Sequence, residues 1–149
     1  EATIDTYIAT ALNQKEKGEE YPFTVIDAQS GKIIGCTRFY GVQPQHKRLE
    51  IGYTWYADAA RRTPINSESK LLLLQHLFED AGAIAVELRT HFFNQASRTA
   101  IERLGAKQDG VLRSHQILPD GSIRDTVVYS IVASEWPAVK NNLLSRLAG

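Results

Sequence analysis

Methionine is absent from the 149 residues, and cysteine occurs once, as Cys36. A lone thiol cannot close an internal disulfide, which excludes a disulfide-stapled scaffold and suits a reducing compartment. No apolar run is long enough to span a bilayer and no secretory leader is visible, so the expected location is cytoplasmic, with no membrane partner. An excess of one charge is missing too. Lys+Arg and Asp+Glu both number 17, so no overall field draws the chain to nucleic acid or anionic lipid. His46, His76, His91 and His115 lack metal-ligand spacing, and no metal is expected. Repeats, low-complexity tracts and linkers are absent. The length suits a single domain, residues 1–149, able to bury a core. Without methionine, and opening on Glu1-Ala2-Thr3-Ile4, the chain is expected to start inside a longer translation product.

What is present follows two periods. Ile4, Tyr7, Ile8 and Leu12 recur at helical spacing, with Gly18 as a stop. Phe23 to Ile26 and Ile33 to Tyr40 read as strands around the turn-rich Asp27-Ala28-Gln29-Ser30-Gly31. Gly41 to Arg48 is polar and reads as loop, and Leu49 to Tyr56 as strand. Ser67 to Ala81 predicts a helix with Leu71, Leu74, Phe78 and Ala81 inward. Ile84 to Thr90 alternates as a strand. Ser97 to Leu104 predicts a helix with Ser97, Ala100, Ile101 and Leu104 inward. Gly110 to Leu118 and Ile123 to Val132 form a hairpin around Pro119-Asp120-Gly121. Ser134 is the expected cap of a last helix whose apolar face carries Val139, Leu143 and Leu147. This order predicts an α/β (α+β) fold: a mixed, mainly antiparallel central sheet flanked by helices.

Leu49 to Gly105 carries the chemistry. The strand Leu49-Glu50-Ile51-Gly52-Tyr53-Thr54-Trp55-Tyr56 feeds the basic turn Arg61-Arg62-Thr63-Pro64-Ile65-Asn66-Ser67, and a helix follows. Free N–H groups and the positive end of a helix dipole at such a turn suit a phosphate. The alternative is simple capping of the helix by Asn66 or Ser67. Glu50, in the feeding strand, is a candidate base; otherwise it is a solvated or paired carboxylate. Asn94 or Ser97 reads first as the cap of the next helix. Cys36 reads as a small core residue.

These residues resemble the GNAT superfamily of acyl-CoA-dependent N-acetyltransferases, most closely the RimJ/RimL-like branch that acetylates N-termini of ribosomal proteins. Arg61 falls where that family begins its Gln/Arg-x-x-Gly-x-Gly/Ala turn. Glu50-Ile51-Gly52-Tyr53 looks like its central strand, Asn94-Gln95-Ala96-Ser97 like its second motif, and Ala100-Ile101-Glu102-Arg103-Leu104-Gly105-Ala106 like its closing run. The likeness extends more weakly from about Tyr7 to Trp136.

The resemblance implies acetyl-CoA as cosubstrate and an amine-bearing acceptor, either a protein N-terminus or a small amine. It puts the pyrophosphate against the N–H groups of Arg62, Thr63, Ile65, Asn66 and Ser67. It assigns Glu50 as general base, the Thr54 main-chain N–H as donor to the thioester carbonyl, and Trp55 and Tyr56 alongside the pantetheine arm. Asn94 also falls to that arm, and Arg98 to the ribose 3′-phosphate. Pro64 and Asn66 replace the family's two glycines, and Pro64 has no N–H to donate. Ile101 stands where many members carry a tyrosine acid, so water, Ser97 or the acceptor's own proton must serve. Family members also carry a further strand and helix before this point, which the chain is expected to lack. Two alternatives stay open: a non-catalytic acyl-CoA-binding module, and a structural domain without ligand. A homodimer is one of the open oligomeric states.

Overall fold

The computed structural model describes residues 3–149. Helix α1 (Ile4–Glu16) is opened by Thr3, whose side chain accepts the Thr6 N–H. The hairpin β1 (Tyr21–Ile26) and β2 (Ile33–Gln43) follows, then β3 (Arg48–Tyr56) and α2 (Ile65–Gln75). Next come β4 (Ala85–His91), α3 (Gln95–Arg103), the hairpin β5 (Lys107–Ile117) and β6 (Ile123–Val132), and α4 (Trp136–Ala148). The strands form one six-stranded sheet ordered β1-β2-β3-β4-β6-β5. Among the described residues only the β3–β4 pairing is parallel. The expected mixed, mainly antiparallel sheet flanked by helices is therefore what the chain forms.

Strand alternation sorts the sheet into two unlike faces. Leu49, Ile51, Val86, Leu88, Tyr129 and Ile131 pack with Leu71 and Leu74 of α2, Ile101 of α3 and Leu143 of α4 in one buried cluster. The intervening residues Arg48, Glu50, Glu87 and Arg89 project from the opposite face. There α1 reaches over, with its Tyr7 ring 5.1 Å from the Arg38 guanidinium.

Four local expectations are corrected. β2 runs to Gln43 and β3 opens at Arg48, so half of the expected loop is strand; β2 bends at Gly41, where φ is +56°. Helix α2 starts at Ile65, not Ser67, because Pro64 already holds a helix-compatible φ of −63° at the N-cap position. A π turn, His76–Asp80, then continues α2. The wider turn rotates the apolar stripe, so Leu77 is buried in place of Ala81, which is exposed. Ser134 does not cap α4. The N-cap residue is Glu135, without a side-chain cap, and burial of Trp136 anchors the helix start: its ring stacks on Phe78 and its Nε1 donates to Glu79 at 2.9 Å.

Candidate active site at a gap between two strands

The parallel ladder between β3 and β4 is short. It pairs Arg48 with Ala85, Leu49 with Val86 and Glu50 with Glu87, then stops. Beyond it both strands continue, β3 to Tyr56 and β4 to His91, without pairing to each other. Their facing edges carry backbone groups unused by the sheet and open to an extended ligand. Each edge ends in a turn that starts a helix: β3 runs into α2, and β4 into α3.

Glu50 stands at the closed end of this gap. Its Cα pairs with Tyr40 on β2 and with Glu87 on β4. Its side chain is 15% exposed and lies 3.5 Å from Arg89 Nε. Glu87 holds both neighbouring cations, Arg48 at 2.7 Å and Arg89 at 2.5 Å. Burial raises the Glu50 carboxyl above its ordinary range, outweighing the Tyr40 hydroxyl and Arg89, which pull it down. The rise suits a base. Tyr40, Gly41 and Arg89 enclose the carboxylate, whereas Tyr53 and Trp55 on the same strand are more than half exposed. Gly41, at φ +56°, lets the β2 bend close over the carboxylate, and a Cβ there would come within 2.8 Å of Glu50 Oε1. A groove of about 680 Å³ opens beside Glu50 on this face, lined by Gln43, Arg48, Glu87 and Arg89 among others.

Farther along β3 the pairing with β2 slips. Arg38 pairs with Gly52 but Cys36 with Trp55, so Thr37 alone faces both Tyr53 and Thr54. Tyr53 takes up the extra residue with φ +50°, a β-bulge. The bulge keeps Tyr53 on the Arg38 face, its ring 4.3 Å from that guanidinium, and turns the Thr54 side chain toward α2. There Thr54 Oγ1 lies 2.9 Å from Thr37 Oγ1 and accepts from Lys70 Nζ at 2.9 Å. Lys70 is 3% exposed. The sequence reading missed it because a lysine among leucines passes for a solvated position. Its spacing from Leu74, four residues on in the apolar stripe, is the one sequence signal that it faces inward.

The expected pyrophosphate turn is compact. Thr63 Oγ1 donates to the Ala60 carbonyl at 2.6 Å, Arg62 takes φ +61°, and Arg61 reaches Asp58 at 2.8 Å and the Tyr56 carbonyl at 3.2 Å. The N-cap residue Pro64 has no capping side chain, and the Ile65 N–H donates to Thr63 Oγ1 at 3.4 Å. Asn66 and Ser67 lie inside the first turn of α2, so they do not cap it as the alternative reading had it, and their N–H groups point out of the helix start. Asn66 Oδ1 instead accepts from Tyr56 Oη at 3.1 Å, which ties the end of β3 to the turn. Trp55 remains 56% exposed beside them.

Across the gap, Asn94 caps α3 by accepting the Ser97 N–H at 3.0 Å. Arg98 donates to Tyr129 Oη at 3.0 Å and to the Phe92 carbonyl at 3.2 Å, so its guanidinium is held against the core. Ile101 is buried within the core cluster. Asn94→Ala is expected to cost about 1 kcal/mol of stability through the lost cap. Urea denaturation measures that loss, and a parallel titration with acetyl-CoA shows whether the same amide also touches the ligand.

Comparison with known proteins agrees with this architecture. A family model described as "Acetyltransferase (GNAT) domain" matches residues 1–107. The chain is 29% identical over 122 residues to "Uncharacterized N-acetyltransferase YoaA" of Bacillus subtilis, covering 82% of this chain and 67% of that protein. It is 26% identical over 110 residues to "Putative ribosomal N-acetyltransferase YdaF" of the same organism, covering 74% of this chain and 59% of the relative. A crystal structure of a GCN5-related N-acetyltransferase from Brucella melitensis superposes with a TM-score of 0.86 at 32% identity, over 97% of this chain and 65% of that one. The match extends past half of the chain and takes in β3, the turn, α2, β4 and α3, the elements that build the gap. The chain belongs to the GNAT acetyltransferase family.

Proposed function

We propose that the chain transfers an acetyl group from acetyl-CoA to a primary amine by direct attack within a ternary complex. The observation that carries this reading is the unpaired β3–β4 gap with a carboxylate of raised pKa at its closed end. An amine is protonated at neutral pH and must lose that proton before it can attack a thioester. Glu50 is placed to accept it, directly or through one water, from an acceptor entering by the adjoining groove. The cosubstrate supplies the activated acyl group. The residues present fit it: the N–H groups of Asn66 and Ser67 at the α2 start face outward for phosphate, with Arg62, Thr63 and Ile65 around them. The main chain at Thr54 serves as donor to the acyl oxygen, and Trp55 and Tyr56 flank the arm. Asn94, Ser97 and Arg98 form the opposite wall.

For the acceptor we favour a protein N-terminal α-amine, as in the RimJ/RimL-like branch, a choice supported by the name that YdaF bears. A second reading, a non-catalytic acyl-CoA-binding module, is favoured by two observations: Pro64 offers no N–H at the turn, and Ile101 packs in the core where a proton donor would stand. Calorimetric titration with acetyl-CoA followed by acetyl release against a panel of peptides and small amines separates the two. Binding with turnover supports the transferase, and binding without turnover supports the module.

Asn66→Glu tests the turn. The carboxylate can still accept from Tyr56, so the fold is kept, but a negative charge then sits beside the phosphates. Acetyl-CoA affinity is expected to fall on the order of tenfold, whereas Cys36→Ala leaves it unchanged. Equal affinities for the two variants would remove the phosphate from this turn.

A further inference from the structure

Lys70 is the cation in this fold whose position stability does not explain. Its side chain comes from the second turn of α2 and ends between β2 and β3, where Nζ donates to Thr54 Oγ1 at 2.9 Å and to Thr37 Oγ1 at 3.3 Å. No carboxylate pairs with it among the described residues. Taking an ammonium out of water against two neutral hydroxyls is costly, and an apolar chain of the same length would fill the space at lower cost. The two hydroxyls it binds belong to the β-bulge: Thr37 is the residue that faces both Tyr53 and Thr54, and its Oγ1 also lies 3.4 Å from the Gly52 carbonyl. The ammonium, the two threonines and the Gly52 carbonyl thus bracket the backbone turn that interrupts β3 along the gap.

We propose that Lys70 is a positioning residue for acetyl transfer, holding the β3 bulge through Thr54 and Thr37 so that the main chain there is fixed toward the gap. Its positive charge sits one hydrogen bond from the side chain of Thr54, the residue whose main chain is proposed to meet the acyl oxygen, where negative charge develops during attack. A cation already held there by the two hydroxyls needs no reorganisation as that charge forms. The inference rests on the acetyltransferase reading given above. Burial alone lowers the Lys70 pKa, to about 8, so the group is mainly charged at neutral pH and loses its charge just above it. The polar groups set against it are the Thr37 hydroxyl from β2 and the Thr54 hydroxyl from β3. Tyr56, the titratable side chain farther along β3, directs its hydroxyl to Asn66.

The test compares the wild type with Lys70→Met, which keeps length and removes charge, and with Thr54→Val, which keeps the cation and removes the link. Thermal melting, acetyl-CoA affinity by calorimetry, kcat across pH and amide hydrogen exchange of residues 52–56 in the ligand-free protein are measured for each. Lys70→Met is expected to melt no lower than the wild type and to bind acetyl-CoA within about twofold. Its kcat falls on the order of tenfold to a hundredfold, approaching the loss of a direct oxyanion donor. The alkaline decline of wild-type kcat near the Lys70 pKa disappears, and exchange at the bulge quickens. Thr54→Val shows the same loss, and the double variant is no worse than the poorer single one. A Lys70→Met protein with wild-type kcat, pH profile and exchange overturns the inference while leaving the acetyltransferase reading intact. So does a Thr54→Val protein with wild-type kcat. A wild type that neither binds acetyl-CoA nor acetylates any amine overturns the underlying reading, before any variant is made.

Discussion

Glu50→Gln is expected to lower kcat by a factor on the order of 10²–10⁴, the usual cost of losing general-base catalysis. The amide keeps the size of the side chain and most of its hydrogen bonding, so acetyl-CoA affinity should hold. The pH dependence gives the sharper signature. Because burial raises the Glu50 carboxyl, wild-type activity should rise with pH only above the ordinary carboxylate range, as the side chain ionises. The variant should lack that limb. Stability should move the other way. A folded-state pKa above the unfolded value means that ionisation costs stability as pH climbs from the unfolded value through the folded one. At neutral pH the wild type bears this penalty and the glutamine does not, so the melting temperature should not fall. Full turnover with an unaltered profile would make Glu50 a structural residue.

Glu20→Ala should produce the larger loss of stability. Glu20 lies just before β1, and its carboxylate meets Arg38 at 2.6 Å, with side-chain exposures of 15% and 8%. Removing the acid leaves a guanidinium buried between the Tyr7 and Tyr53 rings without a counter-ion. Breaking such a pair from one side commonly costs 3–5 kcal/mol, and the two rings retain part of the attraction, so about 2–4 kcal/mol is expected. For a chain of this size the melting temperature should drop by roughly 5–15 °C. Adding Arg38→Met should restore most of the loss, because no buried charge then remains. A single-variant loss below about 1 kcal/mol, within the range of exposed pairs, would show that water reaches the bridge.

The parts of the fold that were legible in the sequence are those set by short-range rules. Turn residues between β-rich runs marked both hairpins, and apolar spacing marked α1 and the start of α4's buried stripe at Val139 and Leu143. Helix α2 was legible in kind but not in detail. The π turn at His76–Asp80 is a tertiary accommodation, and nothing in His-Leu-Phe-Glu-Asp announces the rotation that buries Leu77. Ser134 has a capping side chain, but burial of Trp136 decides where α4 begins. At the candidate site, Glu50 and the turn Arg61 to Ser67 stood out because charge and helix-start chemistry are local properties. Lys70, Tyr40 and Arg89 did not, because their roles come from strands and helices distant in sequence meeting at one point. The bulge at Tyr53 is hidden for the same reason: φ +50° at a tyrosine follows from the slip against Thr37, which no neighbouring residue encodes.

The three-rung ladder between β3 and β4 has a consequence for how the molecule comes apart. It divides the sheet into two antiparallel trios: β1-β2-β3, made by consecutive strands, and β4-β6-β5, made by the last three. Each trio closes through connections shorter than the crossover that carries the chain along α2 from one trio to the other. The seam is thus the least redundant line of backbone hydrogen bonds in the sheet, and local opening is cheapest there. The proposed reacting groups lie along the tear line of the fold, where an extended ligand lying in the gap would act as a suture between the halves.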